Sequence, residues 1–497
     1  MNDADTASPL PRTLSIPSEV IPGVNLIGFL EGELGLGEIP RRLARALTHA
    51  DIPFAAIPYR RTASRQEHPV DFELSSEAPF DTNIVCLNAD YLHAFLDDVG
   101  TAFFANRYSI GVWAWETSVF SEGNLPGFRF LDEVWAVSTY VRRAVSAHSD
   151  IPVHVAPIPV EEPGAPRHTR ADLGLPEGFL FLFLFDFVSS DRKNPGAVID
   201  AFTRAFEPGE GAVLVLKSIN GRERKPNLLE ELVAAASRRP DIHVVDAYFS
   251  ADEKEAAIAA CDCYVSLHRS EGMGLTMAEA MAYGKPVIAT GYSGNLDFMD
   301  DTNSYLVPYR LVPVPDDWWA YAPGAEWAEP DVDAAAAFMR QTYEHPEEAK
   351  ALGERGRADI LRTHSVERAA GFVADRLADA RARRGAAARS PRYDVRSPIL
   401  RSSAELSKGV GSGLASRSAR RSPTALVRRL LLRFLWPELA RSHEVDTALL
   451  DALRALERSR THESERMSRL EAAVLQAGDG ANDPAARSSE AGNSGAK

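Results

Sequence analysis

Two glutamates eight residues apart, Glu271 and Glu279, flank a glycine-rich turn in the run His268-Arg-Ser-Glu271-Gly-Met-Gly-Leu-Thr-Met-Ala-Glu279. Gly272 and Gly274 carry no Cβ, so the backbone there can approach a ligand closely. The N–H groups of Met273, Gly274, Leu275 and Thr276 open a helix and have no partner within it, which favours an anion at that point. Glu271 can accept hydrogen bonds from the hydroxyls of a polyol. Glu279, about one helical turn further on, can accept a vicinal diol such as a ribose. A ligand that satisfies all three features carries phosphate in its middle and hydroxyls at both ends, as a nucleoside diphosphate sugar does. Without a ligand, the same residues are an acid before a turn and an acid favoured by the helix dipole.

A second basic cluster lies in Asp186-Phe-Val-Ser-Ser-Asp191-Arg192-Lys193-Asn194-Pro195. It follows an apolar run, Phe179-Leu-Phe-Leu-Phe-Leu-Phe185, of the kind buried on both faces of a sheet. Two cations at the end of such a strand can neutralise a diphosphate leaving group. Arginine does so with a bidentate grip and lysine as a point charge. The alternative is a solvated turn with a basic pair. Lys217, at the end of the next predicted strand, faces either the same cleft or solvent.

The elements around these residues alternate. Strands are predicted at 24–30, 84–88, 108–115, 132–137 and 153–159, with a helix at 39–48 carrying Pro40 in its first turn and a helix capped by Ser138. After 160, Pro163, Pro166 and Pro176 break the pattern. Strands at 179–185, 212–217, 242–246, 263–267 and 286–290 then alternate with helices at 195–206, 227–238, 252–260 and 275–283. This alternation predicts an α/β fold of two Rossmann-like, doubly wound domains, with ligands at the carboxyl ends of the strands. The expected division is a leader at 1–22, a first domain at 23–160, a linker at 161–178 and a second domain at 179–364. A helix at 365–383, a disordered basic linker at 384–424, a helical tail at 425–476 and a disordered end at 477–497 complete it.

Composition narrows the function. The chain of 497 residues is 45% hydrophobic and 25% charged, within the soluble globular range. Its net charge of −15 argues against nucleic acid as a partner. Cys86, Cys261 and Cys263 form no disulfide framework, and Cys261-Asp-Cys263 lacks partners at zinc spacing, so a reducing, cytoplasmic setting is expected. The leader has no signal-peptide pattern, and no run of apolar residues is long enough to span a bilayer. In the tail, residues 425–436 form a short basic apolar helix with Arg428, Arg429, Arg433, Phe434 and Trp436. It suits either the anionic inner face of a membrane, giving a peripheral protein, or the protein's own body. Val445, Leu449, Leu453 and Leu456 suggest a helix that could join copies into an oligomer.

With Gly-x-Gly inside the Glu-x7-Glu spacing, and Ala-Glu-Ala-Met-Ala-Tyr-Gly-Lys-Pro-Val-Ile-Ala-Thr290 across its end, the motif resembles the signature of retaining glycosyltransferases of the GT-B fold, family 4 (glycosyl transferases group 1). The resemblance covers the layout of residues 24–380 and is specific over 186–195 and 268–291. It implies two lobes facing a cleft, with the last long helix crossing back to the first lobe. It implies that Glu271 contacts the donor sugar, Glu279 the ribose, and Arg192 and Lys193 the phosphates. Gly35 and Gly37, in Gly32-Glu-Leu-Gly35-Leu-Gly37, would face the phosphates from the first lobe, and Tyr248 would border the base. The family pattern has Gly where this chain has Asn194-Pro195, which leaves open whether Arg192 or only Lys193 reaches the phosphates. It commonly has His where this chain has Glu116, after Trp113-Ala-Trp115. Glu116 would orient or deprotonate the acceptor hydroxyl, or serve as a hydrogen-bonded structural acid. The implied reaction moves a sugar from a nucleoside diphosphate sugar to a hydroxyl of a glycan or lipid-linked acceptor in cell-envelope polysaccharide synthesis. Neither cofactor nor metal is expected, since Asp3-Ala-Asp5 and Asp331-Val-Asp333 lie away from the core strands of the site. The alternatives are another GT-B enzyme, such as a nucleotide-sugar epimerase or phosphorylase, and a catalytically silent sugar-nucleotide-binding scaffold.

Overall fold

The computed structural model describes residues 10, 14–62, 64–315, 321, 322 and 324–387. Asp3-Ala-Asp5, the basic linker beyond 387, the helical tail with its membrane and oligomer roles, and the C-terminal end lie outside the described residues.

The first lobe runs β1 (Ile21–Gly28), α1 (Gly35–His49), β2 (Phe54–Pro58), β3 (Phe80–Cys86), α2 (Ala89–Val99), β4 (Tyr108–Trp113), β5 (Glu133–Ala136), α3 (Thr139–Ser146) and β6 (Val153–Val155). Its sheet is parallel throughout, in the order β2-β1-β3-β4-β5-β6. Ser138 caps α3 by accepting from the Val141 N–H. The described residues before β1, expected as part of a loose leader, pack on the first lobe. Ser15 exchanges backbone hydrogen bonds with Ser76 and Ala78, Arg107 donates to the Pro17 carbonyl, and Leu10 is buried. These contacts satisfy backbone groups that would otherwise be stranded beside the sheet.

The second lobe runs β7 (Phe179–Asp186), α4 (Ser190–Lys193), α5 (Pro195–Ala205), β8 (Ala212–Ile219), α6 (Gly221–Arg224), α7 (Pro226–Ala236), β9 (Ile242–Asp246), α8 (Ala251–Ala260), β10 (Cys263–Ser266), α9 (Leu275–Ala282), β11 (Val287–Thr290) and β12 (Tyr305–Val307). This sheet is also parallel, in the order β12-β11-β10-β7-β8-β9. The phenylalanine-rich β7 lies at its centre with both faces covered, as its unbroken apolar run predicted. Because strand order reverses between β7 and β10, the loops after these strands diverge and leave a crevice at their carboxyl ends. Arg192 and Lys193 follow one of these strands, and Glu271 follows the other.

Five further elements complete the described residues: an antiparallel hairpin of β13 (Tyr309–Pro313) and β14 (Glu326–Pro330), then α10 (Val332–Glu344) and α11 (Pro346–Thr363), then α12 (Val366–Ala387). The hairpin packs Trp327 on Val314 and Ala325. The helix α12 returns to the first lobe, where Phe372 meets the Trp135 ring edge-on at 5.0 Å. Arg376 there pairs with the fully buried Glu133 at 2.5 Å. This helix runs to Ala387, four residues past the expected boundary at 383, because the Arg- and Ala-rich sequence there continues to favour helix.

Candidate active site

The loop after β7 turns through α4, and Asn194 ends that turn in the left-handed region with φ +57°. Asparagine tolerates this conformation better than most side chains, so it fills the role that glycine would have. Its side chain donates to the Leu267 carbonyl at 3.1 Å, fixing the loop to the end of β10. Both basic residues then reach the same carboxylate. Lys193 Nζ lies 2.5 Å from Glu271 Oε1, and an Arg192 guanidinium nitrogen lies 3.3 Å from Oε2. Arg192 also donates to the Ser270 carbonyl at 2.7 Å. Burial pushes the Glu271 carboxyl up, but the Lys193 and Arg192 charges outweigh it and hold the group at about 2.

The Glu271 turn is held from behind by strained backbone. Its N–H donates to Ser293 Oγ at 2.8 Å, and Gly294 N–H donates to its carbonyl at 3.0 Å. Ser293 sits at φ +79°, ψ −144°, a region that side-chain-bearing residues rarely enter and that costs about 1–3 kcal/mol. The reason is the close approach of two chains: a Cβ on Gly294 would come within 2.0 Å of the Gly272 carbonyl oxygen. Gly274, at φ +92°, starts α9. Among the described residues, the N–H groups of Met273, Gly274, Leu275 and Thr276 donate no hydrogen bond to the protein. Four backbone donors without a protein partner and two cations thus lie on the loops that follow β10 and β7.

Glu116, from the loop after β4, faces this cluster across the lobes. One oxygen is 3.7 Å from Arg192, and the other accepts from the Tyr321 hydroxyl at 3.3 Å. Tyr321 comes from the chain between β13 and β14, and its ring meets Trp115 edge-on at 5.6 Å.

Glu279 lies in a second cluster. Its Oε1 accepts from Arg42 of α1 at 2.5 Å and from Lys254 of α8 at 3.0 Å. Its Oε2 is buried with no partner. Glu38, in the first turn of α1, lies 3.6 Å from Lys254 and 3.2 Å from Arg41. Gly35 and Gly37 lie within that same first turn, so α1 begins four residues before the predicted 39. A Cβ on Gly35 would meet nothing within 4 Å, whereas one on Gly37 would crowd the Gly32 carbonyl oxygen at 2.5 Å. The second glycine is thus explained by its own loop.

Tyr248 donates to Asn220 Oδ1 at 2.6 Å, and the guanidinium of Arg65, from the first lobe, lies 4.3 Å from its ring centroid. Lys217 is buried rather than exposed to solvent.

The structure thus brings Glu271, Lys193, Arg192 and Glu116 into one cluster and places Glu279 in another, with Tyr248 beside Asn220. The sequence reading missed Arg42, Glu38, Lys254, Ser293 and Tyr321. Only Glu38 and Arg42 left a trace, as an acid and a base four residues apart after the glycine loop. Their spacing suggests a local helix pair rather than a contact across lobes. The lobes meet elsewhere along the same seam: Ser138 Oγ donates to the Gly272 carbonyl at 2.6 Å, and Thr139 N–H donates to Asp297 at 2.6 Å.

Comparison with known proteins supports this architecture. The family model of glycosyl transferases group 1 matches residues 179–316, which span the second lobe through β13. No curated protein matches the chain by sequence. Among solved structures, HepE of Anabaena in complex with UDP and glucose is similar at a TM-score of 0.54 and 17% identity, over 72% of this chain and 100% of that one. The same protein in complex with UDP-glucose is similar at 0.52 and 15% identity, over 72% and 99%. At these identities the likeness establishes the fold: the described lobes have the GT-B architecture, and the second carries the glycosyl transferases group 1 match.

Proposed function

We propose that this protein is a retaining, metal-independent glycosyltransferase of family 4 type. It transfers a sugar from a nucleoside diphosphate sugar to a hydroxyl of a glycan or lipid-linked acceptor, in the synthesis of cell-envelope polysaccharide. The observation that carries this reading is the Glu271 carboxylate held by Lys193 and Arg192 at the strand-order reversal, beside four unused backbone donors. HepE was crystallised with UDP-glucose, which supports a sugar nucleotide as donor for the shared fold.

The reading assigns each group a task. Lys193 and Arg192 are paired with a carboxylate in the described structure. A diphosphate replaces that partner, and the carboxylate oxygens turn to the sugar hydroxyls. The donors at 273–276 take the phosphate oxygens. Charge that builds on the departing diphosphate then meets fixed dipoles and cations, with little reorganisation at the moment of reaction. The C1–O bond to phosphate breaks as the bond from C1 to the acceptor oxygen forms on the same face. The acceptor proton passes to the departing phosphate oxygen. Glu116, at the acceptor side of Arg192, orients the acceptor hydroxyl. Glu279, with one oxygen unpartnered, receives the ribose diol.

The test is transfer from UDP-, GDP- and ADP-sugars to a panel of glycan and lipid-linked acceptors, with product configuration read by NMR. Retained anomeric configuration and undiminished rate in EDTA support the reading. Nucleotide-sugar binding without transfer to any acceptor points to a binding scaffold. Conversion of the donor to an isomeric sugar nucleotide points to an epimerase.

Among the described residues, no helix is long and apolar enough to cross a membrane.

A further inference from the structure

Lys217 lies near the carboxyl end of β8 and is 7% exposed. The ammonium of a largely buried lysine ordinarily finds a carboxylate, because desolvating an unpaired charge is costly. This one makes no hydrogen bond or ion pair with any described residue, and its Nζ rests 4.6 Å from the centroid of the Phe249 ring. The charged groups that face it are Asp246, Lys254, Glu33 and Asp186. Each is already engaged. Asp246 accepts from Ser218 Oγ and from the N–H groups of Gly221 and Arg222. Asp186 accepts from Val188 N–H and the Asn220 amide, Glu33 holds Arg65, and Lys254 is a cation bound to Glu279. Burial moves the Lys217 ammonium down to about 8, despite the opposing pull of Asp246.

Sheet order tells what this ammonium is for. Along the carboxyl edge of the second sheet, β10 leads to Glu271, β7 to Arg192 and Lys193, β8 carries Lys217, and β9 leads to Tyr248 and Phe249. A donor with its sugar over β10 and its diphosphate over β7 carries its nucleoside towards β8 and β9. Two aromatic rings there offer flat surface to a planar base. We propose that Lys217 reads the donor's base, its ammonium donating to a keto oxygen of the kind that uracil and guanine carry and adenine lacks. The proposal rests on the sugar-nucleotide reading of the site and adds to it a residue and a base class.

The experiment is isothermal titration of the full chain and of Lys217→Met with UDP, GDP, ADP and ribose 5-diphosphate, the last having phosphates and sugar but no base. Methionine keeps the length and removes a buried charge, so folding is not at risk. The wild type is expected to prefer UDP or GDP to ADP. The variant should bind that keto nucleotide about tenfold or more weakly, while ribose 5-diphosphate changes less than about twofold. Wild-type affinity should also fall above pH 8, by up to about tenfold per unit, as the ammonium loses its proton, and the variant should lack that extra fall. Equal affinities for wild type and variant overturn the proposal and leave the sugar-nucleotide reading intact. Equal weakening of ribose 5-diphosphate makes Lys217 a phosphate contact and overturns it too, as does a wild-type preference for ADP. A wild type that binds none of the nucleotides removes both readings.

Discussion

The two glutamates of the motif sit in clusters of different construction. Glu271 is held by Lys193 and Arg192, all three from the second lobe and anchored by loops that bond to each other. Glu279 is held by Lys254 of its own lobe and by Arg42 of the other, with Glu38 adding a second cross-lobe carboxylate. The Glu271 ion pairs of the first cluster lie within one lobe, and Glu116 joins them from the other at Arg192. In the second, Lys254–Glu279 is internal to one lobe, but the Arg42–Glu279 and Glu38–Lys254 contacts exist only while the lobes touch. A buried carboxylate whose cations come from its own rigid sheet edge is poised for chemistry that tolerates little motion. One that shares its cation between lobes ties ligand binding to how the lobes meet.

That contrast can be broken most strongly at the first cluster. Lys193→Ala is expected to lower kcat/KM by about 10³-fold, the loss typical of removing one group that stabilises developing charge. Thermal unfolding should shift by only a few degrees, and a near-wild-type rate would refute the assignment. Arg42→Ala should act differently, raising the donor KM by about tenfold with little change in kcat, as loss of a binding contact made equally in ground and transition states does. A kcat loss as large as that of Lys193→Ala would erase the distinction between the clusters.

A double-mutant cycle sharpens it. Because Glu271 is buried and in contact with the half-buried Lys193, their coupling in stability should reach about 1–3 kcal/mol. Pairing Arg42 with Glu279 in the same way should show coupling in donor affinity.

Acidity gives a third handle. The Glu271 carboxyl, held at about 2 against its ordinary 4.5, binds its proton more weakly in the folded chain than in the unfolded one. Its pairing therefore stabilises the fold above pH 4.5 and is lost as pH falls from there towards 2. Urea unfolding of the wild type should lose up to about 3 kcal/mol more over that window than Glu271→Gln does. Parallel curves would show that the carboxyl is not held down. The smallest expected effect is that of Tyr321→Phe, a few-fold rise in acceptor KM with donor KM unchanged, since its hydroxyl donates to Glu116.

Which parts of this were visible in the residues follows the same division. The second lobe was legible because β7 is a single uninterrupted apolar run, and because glycines, glutamates and the basic pair sit at fixed offsets from strand ends. Local chemistry of that kind is written in contiguous sequence. The Arg42–Glu279 contact joins residues more than two hundred positions apart, and no local pattern marks it. Tyr321 was hidden for a related reason. Pro308, Pro313, Pro315, Pro323 and Pro330 make the hairpin region read as irregular loop, although β13 and β14 pair in register. The helix α11 was missed because its buried face is sparse, with glycines at 353 and 356 where apolar side chains would signal a core. Gly353 lets it press onto the Gly284 carbonyl and Gly356 onto the Asn303 carbonyl and Met281, a packing role that hydrophobic periodicity does not reveal.

The central claim is that Lys193 and Glu271 form the donor-cleaving centre. Its most direct test is the release of nucleoside diphosphate from UDP-, GDP- and ADP-sugars by wild type and Lys193→Ala, without acceptor. The account predicts slow release from at least one donor by the wild type, and about 10³-fold slower release by the folded variant. Equal rates in the two proteins, or no release from any donor even when acceptors are added, would contradict it.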